Sequence, residues 1–221
     1  MVEVDPDAHA RALAAESLAD DDPTGWFERL YTQAVDGAAV VPWDRGQPHA
    51  MLVAWAERSV PDGNGRRAMV VGCGLGEDAE YLAGFGFDTV AFDVSPTAIR
   101  TARHRFPDSG VHYLTADLLK PPPAWRDAFD LVLESYTVQA LPPQLHRPAI
   151  VHIGHMVAPG GTLVVIAAAE DPAAPRNPGP PWPLTRAEVD AFADSGLAPV
   201  RVEQIDGRWL AEFHRHRRGW R

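Results

Sequence analysis

The sequence predicts an α/β chain: a mostly parallel seven-stranded sheet covered by helices on both faces, with an antiparallel C-terminal hairpin and an N-terminal helical cap. Three observations predict it. From Arg66 onward, short apolar runs alternate with segments of helical periodicity, the pattern of parallel strands joined by crossover helices. The last two apolar runs meet at Asp206-Gly207, a hairpin dipeptide. Residues 1–65 carry helical periodicity but no strand.

Taken in order, residues 8–19 read as an Ala- and Leu-rich helix ended by Asp20, Asp21, Asp22 and Pro23. Trp26 to Val35 reads as a second, with Thr24 as its N-cap. His49 to Val60 places Met51, Leu52, Trp55 and Ala56 at helical spacing, and Pro61 to Gly65 is a turn. Strands follow at 68–71, 89–92, 111–114, 129–133 and 162–169, with helices at 77–83, 96–105 and 143–157. Pro159-Gly160-Gly161 reads as a tight turn, and Glu170 to Pro183 as a Pro-rich loop. Thr185 and Glu188 have the spacing of a capping box opening a helix to Ser195. Strands at 199–205 and 208–214 close the chain. The helical segment 1–65 is expected to cap one end of the sheet within a single domain whose core is 66–221.

Composition excludes several classes. A net charge of −10 argues against duplex nucleic acid, which needs clustered Lys and Arg. Arg215, Arg217, Arg218 and Arg221 crowd the C-terminus with His214 and His216, and read as a solvated tail. No apolar run reaches the ~18 residues of a membrane span, and the start lacks a secretory pattern, so a cytoplasmic protein is expected. Cys73 is the only cysteine, which excludes an intrachain disulfide and a Cys-rich zinc site. His152 and His155 share a helix face without an acidic ligand in the same turn, so no metal is expected.

The chemistry gathers at strand ends. Val70-Val71-Gly72-Cys73-Gly74-Leu75-Gly76 joins the first strand to its helix. Glycines let the backbone turn sharply and approach a ligand seated at the helix N-terminus. Asp93, in Phe92-Asp93-Val94-Ser95, ends the second strand 21 residues after Gly72, a spacing that suits an acceptor for two ribose hydroxyls. It is expected to face solvent in the empty protein and to matter little for folding. Asp117, in Ala116-Asp117-Leu118 after the third strand, suits an adenine amine. A dinucleotide turn would be G-x-G-x-x-G, but Glu77 stands at the third glycine's place. An acid there repels a pyrophosphate and suits the ammonium of a methionine moiety. The expected ligand of this Rossmann-like arrangement is therefore S-adenosylmethionine, held by Gly72, Cys73, Gly74, Gly76, Asp93, Val94, Asp117 and Leu118.

Beyond the strand ends, the chain resembles the thiopurine S-methyltransferase family and its thiol-methylating relatives. The resemblance runs over roughly residues 24 to 205. It takes in Trp26-Phe27-Glu28, Pro42-Trp43-Asp44-Arg45-Gly46, the glycine turn, Phe92 to Ile99, Phe129-Asp130-Leu131-Val132, Ala140-Leu141-Pro142-Pro143, Pro159-Gly160-Gly161 and Gly179 to Thr185. Members commonly show Asp-Tyr-Thr-Phe after the fourth strand, where this chain has Glu134-Ser135-Tyr136-Thr137-Val138. The resemblance implies methyl transfer from S-adenosylmethionine to a small-molecule acceptor, foremost a thiol or other soft nucleophile. It implies that Trp26 and Trp43 close the cap over the donor, an aromatic face suiting a sulfonium. Glu134 is a candidate for the methionine amino group or for a base acting through water. Tyr136 and Gln139 are candidates for contacting the acceptor. N- or O-methylation of a secondary metabolite and donor binding without turnover are the alternatives. The cap is expected to order when donor product binds.

Overall fold

A computed structural model of the chain describes residues 6–175 and 179–217. Seven strands form one sheet: β1 (Arg67–Val71), β2 (Asp88–Asp93), β3 (His112–Thr115), β4 (Phe129–Ser135), β5 (Val157–Ala168), β6 (Ala198–Ile205) and β7 (Arg208–His214). Their order is β3-β2-β1-β4-β5-β7-β6. All neighbours pair in parallel except β7, which runs against both β5 and β6. The antiparallel strand of the expected hairpin, β7, is internal to the sheet and not at its edge. The hairpin turn at Asp206-Gly207, with φ of +47° and +72°, folds β7 back between β5 and the edge strand β6.

Strand alternation sorts the core into two layers. Ala68, Val70, Leu131, Leu133, Val164 and Ile166 face α3 (Ala50–Ser59), α4 (Glu77–Ala83) and α5 (Pro96–Arg105). Met69, Val71, Val132, Leu163 and Val165 face α6 (Pro143–Met156) and α7 (Arg186–Asp190), which runs on into a 3-10 segment at Ala191–Ser195. α3 was expected in the cap. It flanks the sheet instead, because Leu52, Trp55 and Ala56 form an apolar stripe that the sheet face buries. Only α1 (Pro6–Ala19), α2 (Gly25–Val35) and the loop to residue 48 remain as cap.

Local signals explain most helix starts. The Ser95 hydroxyl accepts the Ala98 N–H, with Pro96 at the first helical position. The Thr185–Glu188 capping box forms in both directions. Thr24, by contrast, makes no side-chain cap; Asp22 Oδ1 accepts the N–H groups of Thr24 and Gly25. Pro159-Gly160-Gly161 is not a turn but lies inside β5. Gly160, at φ +85°, donates to the Arg215 carbonyl, and the Gly161 carbonyl accepts the Arg215 N–H. The extended partner at the end of β7 overrides the turn signal. Arg215 also reaches the Gly154 carbonyl at 2.8 Å, while Arg218 and Arg221 of the basic tail lie outside the described residues. Among the described residues no helix is long and apolar enough to cross a membrane.

The chain visits β1, β2 and β3 in one direction, then crosses back to β4 beside β1. That reversal opens a crevice at the carboxyl ends of β1 and β4, the place where open α/β sheets bind ligands. The cap lies over it.

Candidate functional site

A cavity of about 510 Å³ occupies this crevice, within the ~300–1,000 Å³ range of small-molecule sites. Its floor is the glycine turn. Gly72 and Gly74 have φ of +58° and +54°. A Cβ on Gly72 would collide with the Thr137 side chain, whose hydroxyl donates to the Val71 carbonyl at 2.9 Å. A Cβ on Gly74 would stand 3.1 Å from the Tyr31 hydroxyl and 3.7 Å from Trp43 Nε1. The missing side chain leaves a cradle between turn and cap. Cys73 also lines the cavity; burial pushes its thiol well above the ordinary range, which leaves no thiolate nucleophile there. Gly76 does not reach the wall. Its absent Cβ makes room for the Tyr113 hydroxyl, so it serves packing rather than a ligand.

Asp93 sits on the wall but is buried, contrary to the solvent-facing position expected. Its two oxygens accept the Gly74 and Ser95 N–H groups at 3.0 and 2.9 Å, so it holds the glycine turn in place. Burial pushes its carboxyl up to about 6, and the backbone donors pull the other way. Val94, Asp117 and Leu118 line the adjoining wall. Asp117 Oδ1 accepts the Leu119 N–H at 2.7 Å, which fixes its carboxylate at the cavity edge.

Glu134 lies behind the wall. It shares the α6-facing side of β4 with Val132 and is fully buried. Its Oε1 accepts the Thr137 and Val138 N–H groups at 2.8 and 2.9 Å, and among the described residues Oε2 has no partner. Burial raises its carboxyl to about 7. It is not among the residues that line the cavity. It holds the 3-10 turn Val138–Ala140 that presents the residues around it. Glu77 lines the cavity, but its carboxylate is paired with Arg105. Arg105 also grips Asp44 with two bonds of 2.9 and 2.6 Å, clasping the cap loop to the start of α4.

The cap contributes an aromatic wall. Trp43 Nε1 donates to the Tyr31 hydroxyl at 2.8 Å, and Trp26 stacks on Phe27 with centroids 3.9 Å apart. Trp43 faces the cavity; Trp26 touches it but is 1% exposed and mainly fills the cap core. Tyr31 was not legible in the sequence, because its place in α2 looks like ordinary apolar spacing.

Tyr136 and Gln139 line the far end of the cavity. Tyr136 has φ +62°, a left-handed conformation that a bulky residue adopts at a cost. Gln139 accepts the Ala168 N–H through its side-chain oxygen, and its carbonyl accepts the Trp182 N–H at 2.7 Å. It thereby ties the end of β5 to the Gly-Pro-Pro-Trp loop. Four further residues gather here without a prior sequence signal. His49 is buried, its Nδ1 accepting the Met51 N–H at 3.1 Å. Burial, with the nearby Arg45 and Arg208, lowers its imidazole to about 4. Asp78 accepts the His49 N–H at 2.7 Å, and burial raises its carboxyl. Arg208 donates from Nε to the Tyr136 hydroxyl at 2.7 Å, and Arg45 lies over the Tyr136 ring at 5.7 Å.

Comparison with known proteins bears on this geometry. Residues 68–161, the segment carrying the glycine turn, Asp93 and Asp117, match the family model described as a methyltransferase domain. The chain is a class I S-adenosylmethionine-dependent methyltransferase. The methyltransferase is 28% identical over 191 residues to the probable thiol methyltransferase 2 of Arabidopsis thaliana, covering 81% of this chain and 79% of that protein. It is 24% identical to the 2-heptyl-1-hydroxyquinolin-4(1H)-one methyltransferase of Mycobacteroides abscessus, covering 83% and 85%. Its structure is similar to that of the N-methyltransferase NodS of Bradyrhizobium japonicum WM9, solved with S-adenosyl-L-homocysteine. The TM-score is 0.67 and the identity 25%, over 84% of this chain and 98% of that one. The methyltransferase's glycine cradle and strand-end acids fit the donor. When bound, S-adenosylmethionine supplies a methyl group activated on a sulfonium.

Proposed function

We propose that the enzyme methylates a small soft nucleophile, foremost a thiol, and stands near the thiopurine S-methyltransferase-like enzymes. In this reading Asp93 receives the ribose hydroxyls and Asp117 the adenine amine. Gly72 and Gly74 let the donor lie close to the backbone, and Trp43 with Tyr31 shuts water from the reacting end. Holding donor and acceptor in line can contribute ~7–11 kcal/mol, so positioning is the main task of these residues.

One observation carries the choice of nucleophile. Among the described residues at the acceptor end, no buried side chain is placed as a free base. Glu134 is behind the wall, His49 Nδ1 accepts the Met51 N–H so that the neutral ring carries its proton on the unpartnered Nε2, and Asp78 is engaged by the His49 N–H and the Ser135 hydroxyl. A nucleophile that ionises by itself near neutrality suits such a site; an aliphatic alcohol does not. The Arabidopsis relative's name agrees with a thiol. The hydroxyquinolinone named for the mycobacterial relative keeps O-methylation of an acidic hydroxyl as the second reading. Incubation with labelled donor and a panel of thiols, N-hydroxy heteroaromatics, phenols and amines tests both. Turnover confined to amines would refute both.

A further inference from the structure

We infer that the acceptor carries a carboxylate, gripped at the cavity mouth by Arg45 and Arg208, while its nucleophile points inward. This rests on the soft-nucleophile reading above and names its substrate class. The chain has a net charge of −10, and Arg105, close behind the cavity wall, is matched by Asp44 and Glu77. Among the described residues Arg45 and Arg208 form no ion pair, yet both are brought to one tyrosine. Arg208 Nε is fixed on the Tyr136 hydroxyl and its Nη1 leans to the Asp206 carbonyl at 3.4 Å, which leaves Nη2 unengaged. Arg45 stacks on the ring, and among the described residues none takes its donors. Asp78, whose carboxyl feels the Arg45 charge, is taken by His49 and Ser135. Tyr136 holds a left-handed backbone to make this arrangement.

The chemistry decides what anion fits. Guanidinium groups match a carboxylate through paired, charge-assisted hydrogen bonds. If the two cations gripped the thiolate itself, they would draw on the lone pair that must form the new bond. In the transfer, the acceptor's sulfur lone pair forms an S–C bond to the methyl carbon. The donor's S–C bond breaks with its electrons kept on the donor sulfur, and the thiol proton has already left to solvent. The thiolate charge is consumed, but a carboxylate set apart from sulfur keeps its charge throughout, so its ion pairs never oppose the reaction. Both arginines are exposed, so such a carboxylate stays at the wet mouth and loses little hydration.

The test compares 3-mercaptobenzoate with thiophenol in the wild type, Arg45→Gln and Arg208→Gln, with S-adenosylhomocysteine binding confirming that each variant is folded. The expected wild-type kcat/KM ratio favours the carboxylate by at least tenfold, through KM, and falls toward one in either variant. A ratio near one in the wild type, or one unchanged in both variants, overturns the proposal. A second arm needs no turnover: calorimetric titration of benzoate and of benzamide into the complex with S-adenosylhomocysteine. Benzoate binding that is lost in both variants supports the subsite even if neither thiol is methylated, a result that would refute only the thiol reading. Equal binding of benzoate and benzamide overturns the subsite.

Discussion

The carboxylate of Glu28, in α2 of the cap, accepts both the hydroxyl and the backbone N–H of Thr97 in the first turn of α5, at 2.6 and 3.0 Å. It also takes the Ser95 hydroxyl, two residues beyond Asp93. The cap is thus fastened where β2 ends and α5 begins, beside the acid assigned to the ribose. The position also favours a negative charge, since α5 presents its N-terminus there. Burial pushes the Glu28 carboxyl up, but the bonds from Ser95 and Thr97 and the Arg100 charge hold it below the ordinary value.

Glu28→Ala should therefore loosen the cap more than the sheet. We expect a loss of about 1–2 kcal/mol from these charge-assisted bonds, discounted for partial exposure. Donor-product affinity should fall about tenfold, with faster hydrogen exchange across residues 25–35. Unchanged exchange in α2 would mean that the apolar contacts of Trp26 and Leu30 alone hold it.

Asp93→Asn should damage both binding and folding. The carboxylate organises Gly74 and Ser95, so one backbone N–H loses its acceptor as the ribose loses a charged partner. Bonds of this kind are each worth ~1.5–3 kcal/mol. We expect S-adenosylhomocysteine affinity to fall at least a hundredfold in calorimetry and the Tm to drop. In the wild type, affinity should weaken as pH falls through about 6, where the carboxyl takes up a proton. A variant that binds normally would place the ribose elsewhere.

The difference between the expected and observed Asp93 shows where sequence reading ended. Signals that act within a few residues were mostly legible: the helix start at Pro96, the Thr185–Glu188 box and Asp206-Gly207 appear in the structure as read, while the Thr24 cap does not form. The strand-end placement of Gly72, Asp93 and Asp117 was legible too, because it depends only on alternation of elements. Burial of Asp93 was not, since it depends on a cap docked through Glu28, 65 residues earlier in the chain. Pro159-Gly160-Gly161 was misread for the same reason, its pairing partner Arg215 being remote. Glu134 was half legible. Its parity with Val132 put it on the α6 side; its depth behind the turn needed the packing of α6. The arginine pair on Tyr136 joins three distant segments and left no local trace.

Glu134→Gln tests whether that residue is catalyst or support. A general base would lose orders of magnitude in kcat; from behind the wall, the change should cost only a few-fold. Stability should respond instead. The folded carboxyl titrates near 7, above an unfolded glutamate, so its contribution is full at low pH and is lost as pH rises through about 7. Wild-type Tm should decline from about pH 4.5 to about pH 7 more steeply than that of the variant, and the two curves should run parallel above that. Curves parallel over the whole range, together with a collapsed kcat, would return Glu134 to the active site.

The cap itself should tighten on ligand binding. Its helices rest on small apolar clusters, one around Leu13, Trp26 and Leu30 and one around Tyr31, Val41 and Leu75, whereas the sheet is covered on both faces. Its polar fastenings, Glu28 to α5 and Asp44 to Arg105, are partly exposed. Segments held this way open at low free-energy cost. A donor seated over Gly74 would add contacts to Tyr31 and Trp43, which already lie against that glycine, and those contacts would offset the entropy of ordering. Hydrogen exchange with and without S-adenosylhomocysteine should show protection gained over residues 25–46, most in the loop bearing Trp43 and Asp44, and none in β5 to β7. Arg105→Gln, which releases that loop, should enlarge the gain by lowering protection in the free enzyme alone. Equal protection of residues 25–46 in both states would make the cap a preformed wall, with access to the cavity through the arginine-lined mouth only.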